Sequence, residues 1–547
     1  MAAELGAAAL PVGWRARPVA LATLCTVLFL TFLDNTIVSV ALASIQTQLH
    51  AGVTALQWVV GAYALTFASA MLVFGMVGDQ FGRKKVMLGG IAGYCAGSLT
   101  SALSPTIGAS SAIAILLAGR ALMGLGAAAS EPGTLSMLRQ LYPDARRRNR
   151  AIGVWAAVSG FSLALGPVIG GALAGRWGWR GIFWFDVCFG LVALIAAALV
   201  LPESADPEAA RIDVAGAMFG AAALAALIFA VIDAEGAGFA STQVIALLCL
   251  SVVAAAAFAW RERRAAHPLL DPRLLRVPEF VTPNVVTFCA YFATFAVFFF
   301  TALYLIEIAS YSGYQIAALF LPMTLLMIAA SLLAGRWTSV FGLRWSIVPG
   351  CLAFGGGLLA TDAALSPSPS YLPLAGALAL TGLGIGACVV PVTSSVLGAV
   401  SPRHSSMAAS ATNTSREAGA VIGVAILGSL VNGRLHAELA SRLTQLKIPL
   451  SFQSIVINAI ETGGVPGNGH AAGAGGAAGA GEGKLVQEVI QAAYSAFAAG
   501  LHAALYLSAG LVLLAGVLAL ITLRGQPAAG SAVAEAGGSS EFGETVR

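Results

Sequence analysis

Runs of about twenty apolar residues recur from Pro18 to Leu523, and each has the length that carries an α-helix across the roughly 30 Å hydrocarbon core of a bilayer. Short turns rich in Gly, Pro and Arg separate them. Only 10% of the 547 residues are charged and 58% are hydrophobic, with a mean hydropathy of +0.86; a soluble domain carries roughly 25% charge. A soluble globular fold is excluded, and the bilayer is the main solvent of an all-α polytopic membrane protein.

The runs predict fourteen membrane helices, at 18–41, 54–78, 86–105, 111–138, 150–173, 180–201, 213–233, 243–260, 281–306, 314–338, 345–363, 371–400, 406–432 and 500–523. Arg15 and Arg17 ahead of the first run resemble a signal peptide, but the run is too long for one, holds Asp34 and is followed by many more spans. An uncleaved first helix is therefore expected.

With both termini inside, 21 of the 29 basic residues fall on cytoplasmic segments, six on outer segments and two, Arg120 and Arg416, inside helices. The positive-inside rule thus gives an even number of spans and cytoplasmic ends. The net charge of +4 is small, its basic clusters read as topology signals, and no nucleic-acid partner is implied. All seven cysteines sit in apolar runs without CxxC spacing, so neither disulfides nor a metal site are expected.

Residues 433–499 read as one long outer insertion, opening with an amphipathic stretch (Leu435, Leu439, Leu443, Leu446) and passing into a Gly/Ala tract at 471–483 that serves as a flexible connector. The tail after Arg524 is expected to be disordered. A faint internal repeat aligns Gly75, Asp79, Phe81, Gly82 and Arg83 with Gly335, Ser339, Phe341, Gly342 and Leu343. It implies two related halves, a recurrent plan of secondary transporters. The expected domains are a six-helix bundle over 1–212, two inserted helices over 213–265 and a second bundle over 266–547.

A charge inside an apolar span is costly and so marks a functional candidate: Asp34, Arg120, Glu131, Arg416 and Glu417. Counted from the outer helix ends, Asp34 and Arg120 lie roughly 10 to 14 Å deep, a depth at which neighbouring helices bring them together. An Asp that alternates between an Arg partner and a dry cavity loads and releases a proton; the other reading is a permanent structural ion pair. Glu131 returns to the face of Arg120 about 16 Å further in. Gly124 and Ala127 leave an open strip between them, and Pro132 suggests a local break. Glu131 is either a second proton or cation site or a structural cap. Gly160, Gly166, Pro167, Gly170 and Gly171 permit close packing and bending.

Four stretches, LDNTIVSVAL at 33–42, GMVGDQFGRKK at 75–85, LAGRALMGLG at 117–126 and GPVIGG at 166–171, resemble four signatures of the major facilitator superfamily. Their order resembles its fourteen-helix drug:proton antiporter branch. The resemblance covers about residues 18 to 525. It implies two six-helix bundles with two extra helices between them. It also implies that Asp34 and Arg120 serve proton coupling, that Gly75, Asp79, Gly82, Arg83 and Lys84 form a cytoplasmic gating loop, and that Gly166, Pro167, Gly170 and Gly171 form the antiporter motif. Ser39, Ala43 and Ser162 depart from the usual residues, and Ser339 stands where the second half would hold an acid.

The expected function is proton-coupled export of small amphipathic compounds or drugs, with multidrug efflux and antibiotic resistance as consequences. Each pH unit supplies about 1.4 kcal/mol and each 100 mV about 2.3 kcal/mol per proton. The alternatives are a dedicated transporter of one metabolite and a non-transporting membrane sensor or scaffold. No nucleophile, metal or Walker A motif points to an enzyme or to ATP as energy source. The expected partners are a small-molecule substrate, protons and the bilayer, with no cofactor, and the chain is expected to act as a monomer in the plasma (inner) membrane.

Overall fold

The computed structural model describes residues 17–49, 51, 53–105, 109–204, 213–238, 240–265, 272–309, 311, 313–400, 405–445 and 480–523. Among these every regular element is helical. A bilayer offers the backbone no hydrogen-bond partner, so spanning segments must satisfy their amides internally.

In chain order the helices are α1 (Arg17–Ile37), which passes through a 3-10 turn (Val38–Ala41) into α2 (Leu42–Leu49), then α3 (Val53–Phe81), α4 (Arg83–Ala102), α5 (Ala109–Leu141), α6 (Ala145–Trp177) and α7 (Arg180–Val200). Next come α8 (Val214–Ala237), α9 (Thr242–Glu262) and α10 (Pro278–Phe295), which continues through a π-helical stretch (Ala296–Thr301) into α11 (Ala302–Glu307). The last are α12 (Gly313–Phe341), α13 (Arg344–Ala364), α14 (Tyr371–Gly398), α15 (Ser405–Gln445) and α16 (Ala480–Thr522).

A helix stands at each predicted position. Among the described residues, eleven are long and apolar enough to cross a membrane, and a twelfth is added if α3, bent by 52° between Met71 and Val73, is one span. α4 and α6, richer in Gly, Ser and basic residues, are not among them. The bend in α3 follows Thr66 and Ser69, whose hydroxyls donate back to the Ala62 and Leu65 carbonyls at 2.9 and 2.6 Å, a contact that bends helices.

The two halves repeat one packing plan. In the first, α4 lies along α5 and α7, α3 along α5, and α1 along α6 and α7; in the second, α13 lies along α14 and α16, α12 along α14, and α10 along α15 and α16. The aligned glycines sit at equivalent corners: Gly82 joins α3 to α4 at φ 107°, and Gly342 joins α12 to α13 at φ 82°. Both angles favour a residue without Cβ. α8 pairs with α9 and also rests against α3 and α15.

Two expectations are corrected. The segment 433–499 is not a loop throughout, because α15 runs on to Gln445 and α16 begins at Ala480. Leu435, Leu439 and Leu443 are buried in one core with Ala492, Ala493, Ala496 and Phe497 of α16, so the leucine stripe packs against the returning helix. Residues 446–479, with most of the Gly/Ala tract, and the tail from Arg524 lie outside the described residues. Nor does Pro132 break its helix: α5 runs through it from Ala109 to Leu141.

The hydrophobic cores show how the halves meet. One core is built from the first half alone (Leu30 to Phe183) and another from the second half alone (Val286 to Leu523). A third joins them: Leu138, Leu141, Ile152 and Trp155 pack with Ala334, Val396, Leu397 and Ala408. The halves are thus fused at the end that holds the α5–α6 connection.

Candidate functional site

Asp34 occupies the last turn of α1 and Arg120 lies on α5; their side chains are 0% and 1% exposed. One Arg120 nitrogen donates to both Asp34 oxygens, at 2.7 and 2.6 Å, and Nε donates to the Val59 carbonyl of α3 at 2.8 Å. The guanidinium lies 4.6 Å from the Tyr63 ring centroid. With water excluded, a charge on either group needs the other as its partner.

The glycines of GPVIGG fix the helix that carries Asp34. A Cβ at Gly170 would come 2.7 Å from the Ile37 carbonyl oxygen, and one at Gly166 would overlap the Thr36 hydroxyl, so α6 presses directly on the end of α1. α6 is unbroken through Pro167, and Gly171 is half-buried. On its other side, a Cβ at Gly153 would meet the Ser331 carbonyl of α12 at 3.0 Å.

Glu131 is the second buried charge of α5, and its partner is Arg416 of α15 at 3.4 Å, with exposures of 0% and 1%. This pair crosses the seam between the halves. The Arg416 guanidinium also lies 5.6, 5.1 and 5.0 Å from the ring centroids of Phe32, Trp155 and Tyr291. Glu417 beside it is buried as well. Buried polar atoms without hydrogen-bond partners gather here: Glu131 Oε2, Arg416 Nε, both amide atoms of Asn413 and the Thr414 hydroxyl. The open strip expected between Arg120 and Glu131 is not seen, since Gly124 packs onto Tyr63 and Thr66 of α3 and Ala127 is fully buried. Small residues there admit a neighbouring helix and not a channel.

At Tyr291 the seam holds a cavity of about 10 Å³, lined also by Ser159, Thr294, Phe298, Met327 and Ser331, far too small for a drug-sized molecule. At the fused end, Arg139 of α5 donates to the Leu397 carbonyl of α14 at 3.0 Å. Gly75 of α3 meets Ser410 of α15 so closely that a Cβ would overlap its hydroxyl.

The other residues of the expected gating loop lie at the end of α3 and the start of α4, about Gly82, and bind within the first half. Arg83 pairs with Asp79 at 2.7 Å, and its backbone and side chain donate to the Ser204 carbonyl and hydroxyl at 2.8 and 3.1 Å. The Lys84 amide donates to Glu203 at 3.1 Å, its ammonium donates to the Ala198 carbonyl at 2.7 Å, and Ser204 bonds Gln140. A Cβ at Gly82 would stand 2.7 Å from a Glu203 oxygen. The motif ties α3, α4, α5 and α7 into one block.

The model of the Major Facilitator Superfamily matches residues 24–424. The chain belongs to the major facilitator superfamily. It is 32% identical over 76% of its length to the multidrug resistance protein Stp of Mycobacterium tuberculosis, covering 76% of that protein. It is 30% identical over 90% of its length to the drug efflux pump JefA of the same organism, covering 95%, and 29% identical over 90% to the tetracenomycin C resistance and export protein of Streptomyces glaucescens, covering 89%. Among solved structures it resembles the human organic anion transporter MFSD10 (TM-score 0.59, 15% identity, 92% of this chain and 99% of that one). It also resembles a bacterial homolog of the human lysosomal transporter Spinster (TM-score 0.57, 16% identity, 94% and 99%). These structures carry the fold of this major facilitator protein, and with its apolar helices they make it a multi-pass membrane protein.

Three charged groupings of this transporter went unnoticed in the sequence. Asp186 is wholly buried on α7, with neither oxygen hydrogen-bonded. Asp362 of α13 pairs with His502 of α16, and Asp213 pairs with Arg261 at 2.8 Å. A lone acid within the run 180–201 was the available signal for Asp186.

Proposed function

We propose that this chain is a proton-coupled antiporter that exports small amphipathic compounds or drugs across the plasma membrane by alternating access. The observation that carries this reading is the placement of two buried ion pairs on one helix: Asp34–Arg120 inside the first half and Glu131–Arg416 across the seam. A proton on Asp34 would release Arg120, and the helix that moves with Arg120 also holds the contact that keeps the halves together. The names of the similar resistance and efflux proteins support export as the direction.

In this reading the fourteen helices all span, both termini are cytoplasmic, and the chain works as a monomer without cofactor. Two six-helix bundles (1–212 and 266–547) rock about the seam, with 213–265 as inserted helices. The fused end is then the cytoplasmic gate, shut here, and the block around Asp79, Arg83 and Lys84 moves with the first bundle. The unpartnered polar atoms around Glu131, Asn413 and Arg416 belong to the substrate site. Their burial costs about 1–3 kcal/mol each while unsatisfied, a cost relieved when the seam opens to water or substrate.

The test is transport by the purified protein in liposomes, with a panel of amphipathic fluorescent dyes and an imposed pH gradient. Accumulation should follow the gradient and collapse with a protonophore. Transport that ignores the gradient overturns the coupling, and transport of a single compound only replaces broad export with a dedicated carrier.

A further inference from the structure

Asp186 carries a carboxyl group with no hydrogen-bond partner on either oxygen and no exposed surface. Its surroundings are well defined. One turn before it, the Phe183 carbonyl accepts from Ser98 of α4 at 2.8 Å, and one turn after it Gly190 packs against Cys95 of α4 and Leu30 of α1. Phe183, Asp186 and Gly190 share one helical face, so Asp186 points into the wedge between α4 and α1. The groups that act on it electrostatically are Asp34 of α1, Arg120 of α5, and Tyr94 and Cys95 of α4. α6 faces α1 at this level through Gly166 and Gly170.

The interior between α1, α4, α5 and α7 therefore holds two carboxyls and one guanidinium, with α7 turning the Asp186 face toward α4 and α1 and Arg120 of α5 bonded to Asp34 of α1. Both Asp34 oxygens already take bonds from Arg120, which leaves Asp186 without a counter-charge. An isolated carboxylate in a dry, low-dielectric interior is expelled or neutralised. We propose that Asp186 is a second proton-binding residue of the coupling pocket: it is a neutral carboxylic acid while Arg120 holds Asp34, and it passes its proton to Asp34 when Arg120 changes partner. The step is balanced: the Asp186 carboxyl becomes a carboxylate, the Asp34 carboxylate becomes a carboxyl, and Arg120 stays cationic throughout. It places a proton store next to the coupling acid and deepens the antiport reading, on which its transport role rests.

The protonation state is testable without transport. Infrared spectra of the purified protein at neutral pH should show a protonated-carboxyl C=O band that Asp186→Asn removes and Asp186→Glu keeps at a shifted position. In Asp34→Asn the same band should vanish, because Asp186 becomes the counter-ion of Arg120. A band unchanged in Asp186→Asn, or one that persists in Asp34→Asn, overturns the proposal. In liposomes, Asp186→Asn should lower pH-driven export about tenfold while leaving dye binding unchanged; export at the full rate overturns the relay. Bands as described in a protein that shows no gradient-driven transport would count against the antiport reading and leave the proton site standing.

Discussion

Glu131 of α5 and Arg416 of α15 meet at 3.4 Å across the seam between the two halves, with neither side chain more than 1% exposed. Removing one partner of a buried pair costs about 3–5 kcal/mol because the other charge is left bare. Here the pair also bridges the two halves that the proposed mechanism moves apart, so Glu131→Gln should release the fused end. Spin labels on the ends of α5 and α14 that meet at the fused end, near Arg139 and Leu397, should report a longer mean distance than in the wild type. The double variant Glu131→Gln/Arg416→Gln should be milder than the sum of the singles by about 1–3 kcal/mol in unfolding free energy. Strict additivity would show that the two charges do not act on one another.

Asp34→Asn should abolish export driven by a pH gradient and leave membrane insertion intact. The amide keeps the shape of the acid, and Arg120 keeps Val59 and Tyr63 as neighbours. The measurement is dye accumulation in everted vesicles with the protein level checked alongside. Normal accumulation would move coupling to Glu131 or Asp186.

How far the sequence reached follows from its physics. Apolar length shows where helices lie, because lipid forces every backbone amide into a helix. That is why each of the fourteen predicted runs carries a helix. It does not show which neighbour a helix chooses. Gly124 and Ala127 looked like an open strip in one dimension, but in three they receive α3. The leucines at 435, 439 and 443 had the spacing of a surface helix and turned out to face alanines of α16. Partners more than 200 residues apart, such as Glu131 and Arg416, leave no local trace, whereas Asp186 left one that was available and passed over.

Gly170→Val should uncouple α6 from α1. The new side chain meets the Ile37 carbonyl and side chain, three residues beyond Asp34, and overpacking of this kind costs about 1–3 kcal/mol. Thermal unfolding in detergent should show the loss. Ile37→Ala, which opens space on the facing helix, should recover part of it. No change in stability would mean that the two helices separate without penalty.

The last expectation concerns pH at the inserted pair of helices. Asp213 lies just ahead of α8 and caps it, accepting from the Gly216 amide at 3.1 Å while it pairs with Arg261 of α9 at 2.8 Å. Burial works against its carboxylate, but the Arg261 guanidinium and the backbone amides outweigh this and hold its pKa below the usual value. A depressed folded pKa means stability that is fully present above the unfolded value of about 3.9 and is lost as pH falls through the folded one. Asp213→Ala should therefore lower stability by about 1 kcal/mol at neutral pH, the usual cost of losing a cap. The gap between wild type and variant in melting temperature, followed in detergent from neutral pH into the acid range, should be constant down to about pH 4 and close below it. A gap that widens in acid would mean that the carboxyl stabilises α8 in its neutral form, opposite to what its pairing with Arg261 requires.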